Sequence, residues 1–269
     1  MALHIEHIEE DDPGLVVPYW HDQHLVIGEL ALTAARGLRP GLGVSVTLPL
    51  RLVRDRIQFQ DLARQPYTPP NPDTHHRNET LTHVADPQLG AILSRQAGPW
   101  TLGAGVGTSI PIGRTEPDPF ALGRQGLPHQ HIQFGTGTWI PILNVVAARG
   151  IGRIGITASA TARLSYYENS HGYQAGNRFH FVFGGGGRLS SSWVANAAVS
   201  LDREEAETWS GAIEEEGNLG RSDVFLLAGV SHLVPGTGLL GLSVQVPLRT
   251  WATGEQVRIP IVASATWSK

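Results

Sequence analysis

Histidine is the residue type whose abundance first invites a chemical reading. The chain carries 12 of them, and His21, His24, His75, His76, His83, His129, His131 and His171 fall in or beside stretches that read as loops. Neutral imidazoles are good ligands for zinc and copper. His129 and His131 are two residues apart, a spacing that puts both rings on one face of a strand. With His75 and His76 they form the candidate metal set. The plainer reading is solvated loop histidines, one or two of them hydrogen-bonded to Glu79 or Asp86. No helical HExxH and no cysteine partner accompanies them, so no cofactor is expected. Asn169-Ser170-His171 brings together a hydroxyl, an imidazole and a carboxamide, but adjacent strand residues point to opposite faces and this segment reads as loop. Catalysis is therefore not expected, and a hydrolase stands as an alternative only.

These residues hang on a repeated strand pattern. In Gly41–Arg51, Leu42, Val44, Val46, Leu48 and Leu50 alternate with Gly43, Ser45, Thr47, Pro49 and Arg51. Period-two alternation sorts the aliphatic set onto one face and the small or polar set onto the other. The pattern returns at Gly241–Arg249 and, with variations, at Trp100–Gly113 and Arg153–Tyr167. Further strands are expected at 2–9, 24–35, 84–95, 129–148, 178–183, 193–204, 222–233 and 258–267, with the opening strand running on to about Gln60.

Composition narrows the class. At 269 residues with mean hydropathy -0.09, no window approaches the roughly 20 apolar residues of a membrane-spanning helix. Barrel strands need only about 9–11 alternating residues each. The 32 glycines suit close strand packing and turns, and many of the 18 prolines fall in expected loops. There is no cysteine, hence neither a disulfide framework nor a thiolate metal site. A net charge of -4 gives no electrostatic case for nucleic acid. The stretch after Met1 has neither the basic nor the apolar region of a signal peptide. We read the sequence as a mature outer-membrane segment behind a start methionine, in preference to a cytosolic protein.

Short turns near 39–41, 97–99, 149–150, 190–192 and 235–238 alternate with long loops at 61–82, 114–127, 168–176 and 205–220. Outer-membrane barrels alternate short periplasmic turns with long external loops in this way. Trp100 and Trp193 follow short turns and Trp267 lies near the chain end, so the three belong at one membrane boundary, with Tyr166 and Trp251 at the other. The expected fold is all-β, a transmembrane antiparallel up-and-down barrel of about 12 strands. It forms a single domain over 1–269, with an N-terminal strand and loop over 1–23 and barrel hairpins over 24–269. A soluble double sheet or barrel is the alternative. Partners would be the bilayer with its lipopolysaccharide and a small-molecule substrate; oligomeric state is left open.

With the aliphatic parity facing lipid, the other faces the lumen: Glu29, Arg51, Arg163, Tyr167, Arg178, His180, Asn196, Asp202, Gln245 and Arg249. Buried charges need partners, so arginines opposite Glu29, Asp202 or Glu204 are expected. They would form either a selective constriction or a salt-bridged filling with no pore. The acidic run Glu204, Glu205, Glu207 and Glu214–Glu216 reads as a solvated loop face.

The LPLR hairpin, THHRNETLTHVADPQLG (Thr74–Gly90) and LPHQHIQFGTGTWIPI (Leu127–Ile142) resemble outer-membrane transporters of the phenol-degradation MetA-pathway type, relatives of the FadL-like barrels. The resemblance runs from about Leu25 onward, and Asp86-Pro87 and Gln130–Gly137 carry it most specifically. It implies passive uptake of small, often aromatic or hydrophobic, molecules across the outer membrane. No N-terminal plug like that of the long-chain fatty acid members is recognisable, so their gating is not carried over. The alternatives are a metal-binding or metal-transporting barrel and an outer-membrane hydrolase.

Overall fold

The computed structural model describes residues 2–9, 18–70, 78–253 and 259–269. In chain order the elements are β1 (Ala2–Glu9), β2 (Tyr19–Arg39), β3 (Leu42–Gln60), β4 (Thr80–Val84), β5 (Gln88–Ala97), β6 (Trp100–Ser109), α1 (Pro119–Gly123), β7 (Ile140–Ile151), β8 (Ile154–Arg163), β9 (Tyr173–Gln174), β10 (Arg178–Arg188), β11 (Trp193–Glu204), β12 (Thr208–Trp209), β13 (Arg221–Val234), β14 (Gly238–Ala252) and β15 (Val262–Ser268). Among the described residues, twelve strands follow one another in an antiparallel meander, β1-β2-β3-β5-β6-β7-β8-β10-β11-β13-β14-β15, with β4 beside β3 as a thirteenth. This is the up-and-down barrel the alternation predicts. The helix α1 is a single short turn capped by Asp118, and among the described residues no helix is long and apolar enough to cross a membrane.

Register fixes the two faces. The row Leu30–Leu50–Val84 is aliphatic, and the row beside it is Glu29–Arg51–His83. Aliphatic rows continue around the sheet: Val106–Leu143–Ala162 and Phe183–Val199–Leu226–Val246. Their members stand open, Val106 and Phe183 each at 64% exposure and Leu143 at 47%. A soluble protein does not leave so many large apolar side chains uncovered; in a barrel this surface is the lipid-facing band. Trp193 lies in one lateral row with His232, Leu240 and Trp267, and Trp100 sits at the same turn end. Trp251 and Tyr166 are exposed at the opposite end, joined by Trp139, which the sequence pattern passed over.

Several expected boundaries move, each for a local reason. The strand expected over 84–95 is interrupted at Ala85-Asp86-Pro87: Pro87 has no N–H to donate, and Asp86 turns its carboxylate to another segment. The strand expected over 129–148 begins only at Ile140, so His129 and His131 lie in loop. The turn expected at 149–150 falls instead at Gly152, whose φ of +61° is the left-handed value a tight hairpin requires. Strand β2 starts at Tyr19, five residues before the expected His24. The loops 168–176 and 205–220 contribute β9 and β12, which pair with each other.

One difference changes a side chain's face. In the two similar copies, LPLR at 48–51 and VPLR at 246–249, proline falls where the ladder is irregular. Pro49 lies opposite the 85–87 interruption, and the β2–β3 register passes it undisturbed, so Arg51 stays paired with Glu29. Pro247 pairs with Phe225 while Arg249 pairs with Val224, which leaves Leu248 as the extra residue of a bulge. The bulge moves Arg249 to the lipid face, where its guanidinium stands 5.4 Å from the Trp251 ring centroid. Arg249 is therefore not a lumen residue, contrary to its parity.

Candidate functional site

The concave face of the sheet is small and polar. Gly103, Gly105 and Gly107 keep one stretch of wall low, and Gly107 has no alternative, since a Cβ there would meet the Leu89 carbonyl oxygen at 2.4 Å. Polar side chains then reach across the lumen. Arg163 on β8 donates to Gln88 Oε1 on β5 at 3.2 Å, although β6 and β7 lie between these strands in the sheet. Only side chains projecting from a concave surface can meet over such a gap.

Four further inward acids have cationic or imidazole partners, while Asp55, buried on the same strand face as Arg51, accepts from the neutral Gln23 Nε2 at 2.6 Å. Arg51 bridges Glu29 at 2.9 Å, Arg178 bridges Glu204 at 2.6 Å, and His180 is hydrogen-bonded to Asp202. Arg221 holds Asp223 through two bonds of 2.6 and 3.0 Å, and Thr250 donates to the same carboxylate at 2.6 Å. Buried charge is tolerated only with such partners. Asn144 bonds Thr161 at 2.9 Å and Thr33 bonds Thr47 at 2.9 Å. Around Arg163, Arg178, His180, Asp202 and Gln245 opens a cavity of about 520 Å³, and a second cavity of about 540 Å³ lies against the glycine wall. Asn196 faces inward between Gly186 and Gly229. Tyr167 lies beyond the end of β8, where strand parity no longer applies, and its hydroxyl oxygen accepts from the Trp139 N–H at 2.9 Å.

Residues 110–139 fold inward over this lumen. Phe134 is 4% exposed and stacks edge-on against His83, ring centroids 4.7 Å apart. His83 belongs to the inward row of Arg51. Arg114 approaches the same imidazole at 3.1 Å, and Gln130 donates to Glu79. The segment is fastened by Asp86. Its Oδ1 accepts from Gly113 N at 2.9 Å, and its Oδ2 accepts from Thr136 N at 2.7 Å and Thr136 Oγ1 at 2.9 Å. Asn169 adds a bond to the Thr136 carbonyl at 3.0 Å. Gly113 and Gly135 pass so closely that a Cβ on either would meet the other's Cα at 2.7 Å. Here lies the physical reason the 129–148 pattern is not one strand: in its first half Thr136 donates to Asp86 and the N–H groups of Phe134 and Gly135 donate to the Arg114 carbonyl, instead of to a ladder.

At the loop end Phe120, Tyr173, Ala175 and Trp209 form a small buried core. Tyr173 and Trp209 approach to 4.8 Å between ring centroids. Burial raises the Tyr173 hydroxyl above its usual range. Burial likewise raises the Glu207 carboxyl, against the opposing hydrogen bond from Trp209.

The two chemical alternatives fare differently from the lumen. His129 and His131 do approach, ring centroids 5.1 Å apart, but through loop geometry and not a shared strand face. Among the described residues no group of three or more His, Asp or Glu side chains could hold a metal; His75 and His76 lie outside the described residues. Asn169 spends its side-chain oxygen on the backbone N–H groups of His171 and Tyr173, at 2.8 and 3.2 Å, shaping a turn rather than orienting an imidazole. The sequence reading named Arg51, Arg163 and Arg178 on the inward parity but missed Arg221 with Asp223, and it missed Asp86, Gln88 and Phe134 as partners of the 110–139 segment and of Arg163. The available signal was the Asp86-Pro87 break and the Gly-rich FGTGT stretch.

No family model matches the chain, and no curated protein matches it. Among solved structures, the chain is similar to the crystal structure of an outer membrane channel from Pseudomonas putida F1, with a TM-score of 0.58 at 11% identity over 99% of this chain and 90% of that one. At that identity the likeness speaks for the fold, and the fold it supports is the barrel described above.

Proposed function

We propose that this chain is an outer-membrane channel for passive entry of small molecules. Its strands would be seated in lipid by the aliphatic band and the tryptophan ends, with the short turns periplasmic and the long loops external. The observation that carries the reading is the in-folded segment 110–139, pinned by Asp86 over a polar, salt-bridged lumen. A barrel whose lumen served only as structural filling would not need an external loop turned into its own mouth, whereas a selective channel narrows its path in this manner. The P. putida protein's description as an outer membrane channel supports the same reading. The finer expectation, passage of aromatic or hydrophobic solutes, rests on the resemblance to the phenol-degradation transporters at Asp86-Pro87 and Gln130–Gly137, two stretches that the Asp86–Thr136 bonds bring together.

Planar-bilayer recording of detergent-refolded protein tests the proposal. Stepwise conductance is expected from protein that shows a boiled-versus-unboiled mobility shift. Protein that shows the shift yet passes neither ions nor neutral solutes would refute it.

A further inference from the structure

Apart from Asp55, which accepts from the neutral carboxamide of Gln23 at 2.6 Å, the inward carboxylates of the strand ladders have a cationic or imidazole partner, but the converse does not hold. Glu29, Glu204 and Asp223 are taken by Arg51, Arg178 and Arg221, and Asp202 is engaged by His180. Arg163 is left with the neutral carboxamide of Gln88, and among the described residues it has no carboxylate partner. A half-buried guanidinium with one neutral acceptor retains donor capacity in a fixed fork, the geometry that receives a carboxylate in two parallel bonds. Arg163 opens onto the cavity of about 520 Å³, whose wall also carries the apolar Phe225, Ile259 and Val262. That size falls within the roughly 300–1,000 Å³ typical of small-molecule sites.

We infer that the lumen selects small organic monocarboxylates with an apolar body, the carboxylate bound by Arg163 and the body lying against Phe225, Ile259 and Val262; this rests on the channel reading above. Around this cavity Asp202, Glu204 and Asp223 are already engaged, so the charge of Arg163 matches one incoming negative charge. A neutral solute would leave Arg163 unmatched, and a dianion would bring a charge that the already paired arginines could meet only by giving up their own partners.

The experiment is isothermal titration of the refolded full chain with benzoate and with benzamide, its neutral counterpart, alongside bilayer conductance. Benzoate should bind the native protein at least about tenfold more tightly than benzamide. Arg163→Gln should reduce benzoate to the benzamide level, and Arg163→Lys should retain part of the preference. Equal binding of the two ligands by native protein, no benzoate binding, or undiminished benzoate binding by folded Arg163→Gln would each overturn the inference. The native-protein comparison decides the matter even where a variant fails to refold. Arg163-dependent benzoate binding by a protein that passes no current would leave the anion site standing and refute the channel.

Discussion

Replacing Asp86 with alanine removes the acceptor of three hydrogen bonds at 2.7–2.9 Å and strands two half-buried backbone N–H groups, those of Gly113 and Thr136. Bonds to a charged acceptor contribute about 1.5–3 kcal/mol each, and because these three share one group the loss for Asp86→Ala is on the order of 3–5 kcal/mol. That energy belongs to the docking of segment 110–139 and not to the barrel, whose ladders do not involve Asp86. The ratio of released to docked segment should therefore rise by roughly 10²–10⁴-fold. Asp86→Asn should fall between, because its amide can still accept from Gly113 but presents N–H to N–H at Thr136. Trypsin provides the assay, since Arg114 and Arg124 lie within the segment and cleavage of a transiently opened loop follows its open population. Cleavage at these arginines should accelerate in the order native, Asp86→Asn, Asp86→Ala, with unit conductance increasing in the same order. Unchanged cleavage and conductance in folded Asp86→Ala would refute the assignment of Asp86 as the fastener of the constriction.

Gly135→Ala places a methyl 2.5 Å from Asp86 Oδ1 and 2.7 Å from the Gly113 backbone, so it should undock the same segment and raise tryptic cleavage; a native cleavage rate would contradict the close packing. Arg51→Ala should alter ion selectivity in bilayers, whereas Arg249→Ala should not, because the bulge at Leu248 puts Arg249 on the lipid face; equal effects would refute the register. The Glu207 carboxyl is raised above its ordinary 4.5 by burial, so the folded loop core holds a proton that the unfolded chain has already released. Its contribution is full below the unfolded value and is lost as pH rises through the folded one. Glu207→Gln should therefore flatten the decline of loop-core stability on the alkaline side of pH 4.5, read as protection of the 205–220 loop from proteolysis; an unaltered profile would contradict the burial argument.

Alternation made the barrel legible because a strand with lipid on one side and a lumen on the other has its two parities sorted by solvent. The rows Leu42–Leu50 and Ile154–Ala162 lie on the face their parity predicts. Parity fails where the backbone leaves the regular ladder. Leu50 and Leu248 occupy matching positions in the repeated motif, yet only the second is the extra residue of a bulge, and nothing in the two four-residue stretches accounts for the difference. Tyr167 illustrates the same limit at a strand end. The inward segment was hidden for another reason: Phe134 and Thr136 alternate like strand residues, and what diverts them is Asp86, fifty positions earlier. Long-range side-chain acceptors leave no periodic trace. Charge pairing was partly legible, since inward arginines demand inward acids. Which arginine would lack one depended on register across five strands.

The central claim, lipid on one face of each strand and water on the other, is tested most directly by thiol labelling. The chain has no cysteine of its own, so single replacements report without background. Asn144 faces the lumen and its neighbour Leu143 the aliphatic side. In refolded protein reconstituted into lipid vesicles, Asn144→Cys should react with a small charged methanethiosulfonate and Leu143→Cys should remain unlabelled. Equal labelling at both positions would contradict the account.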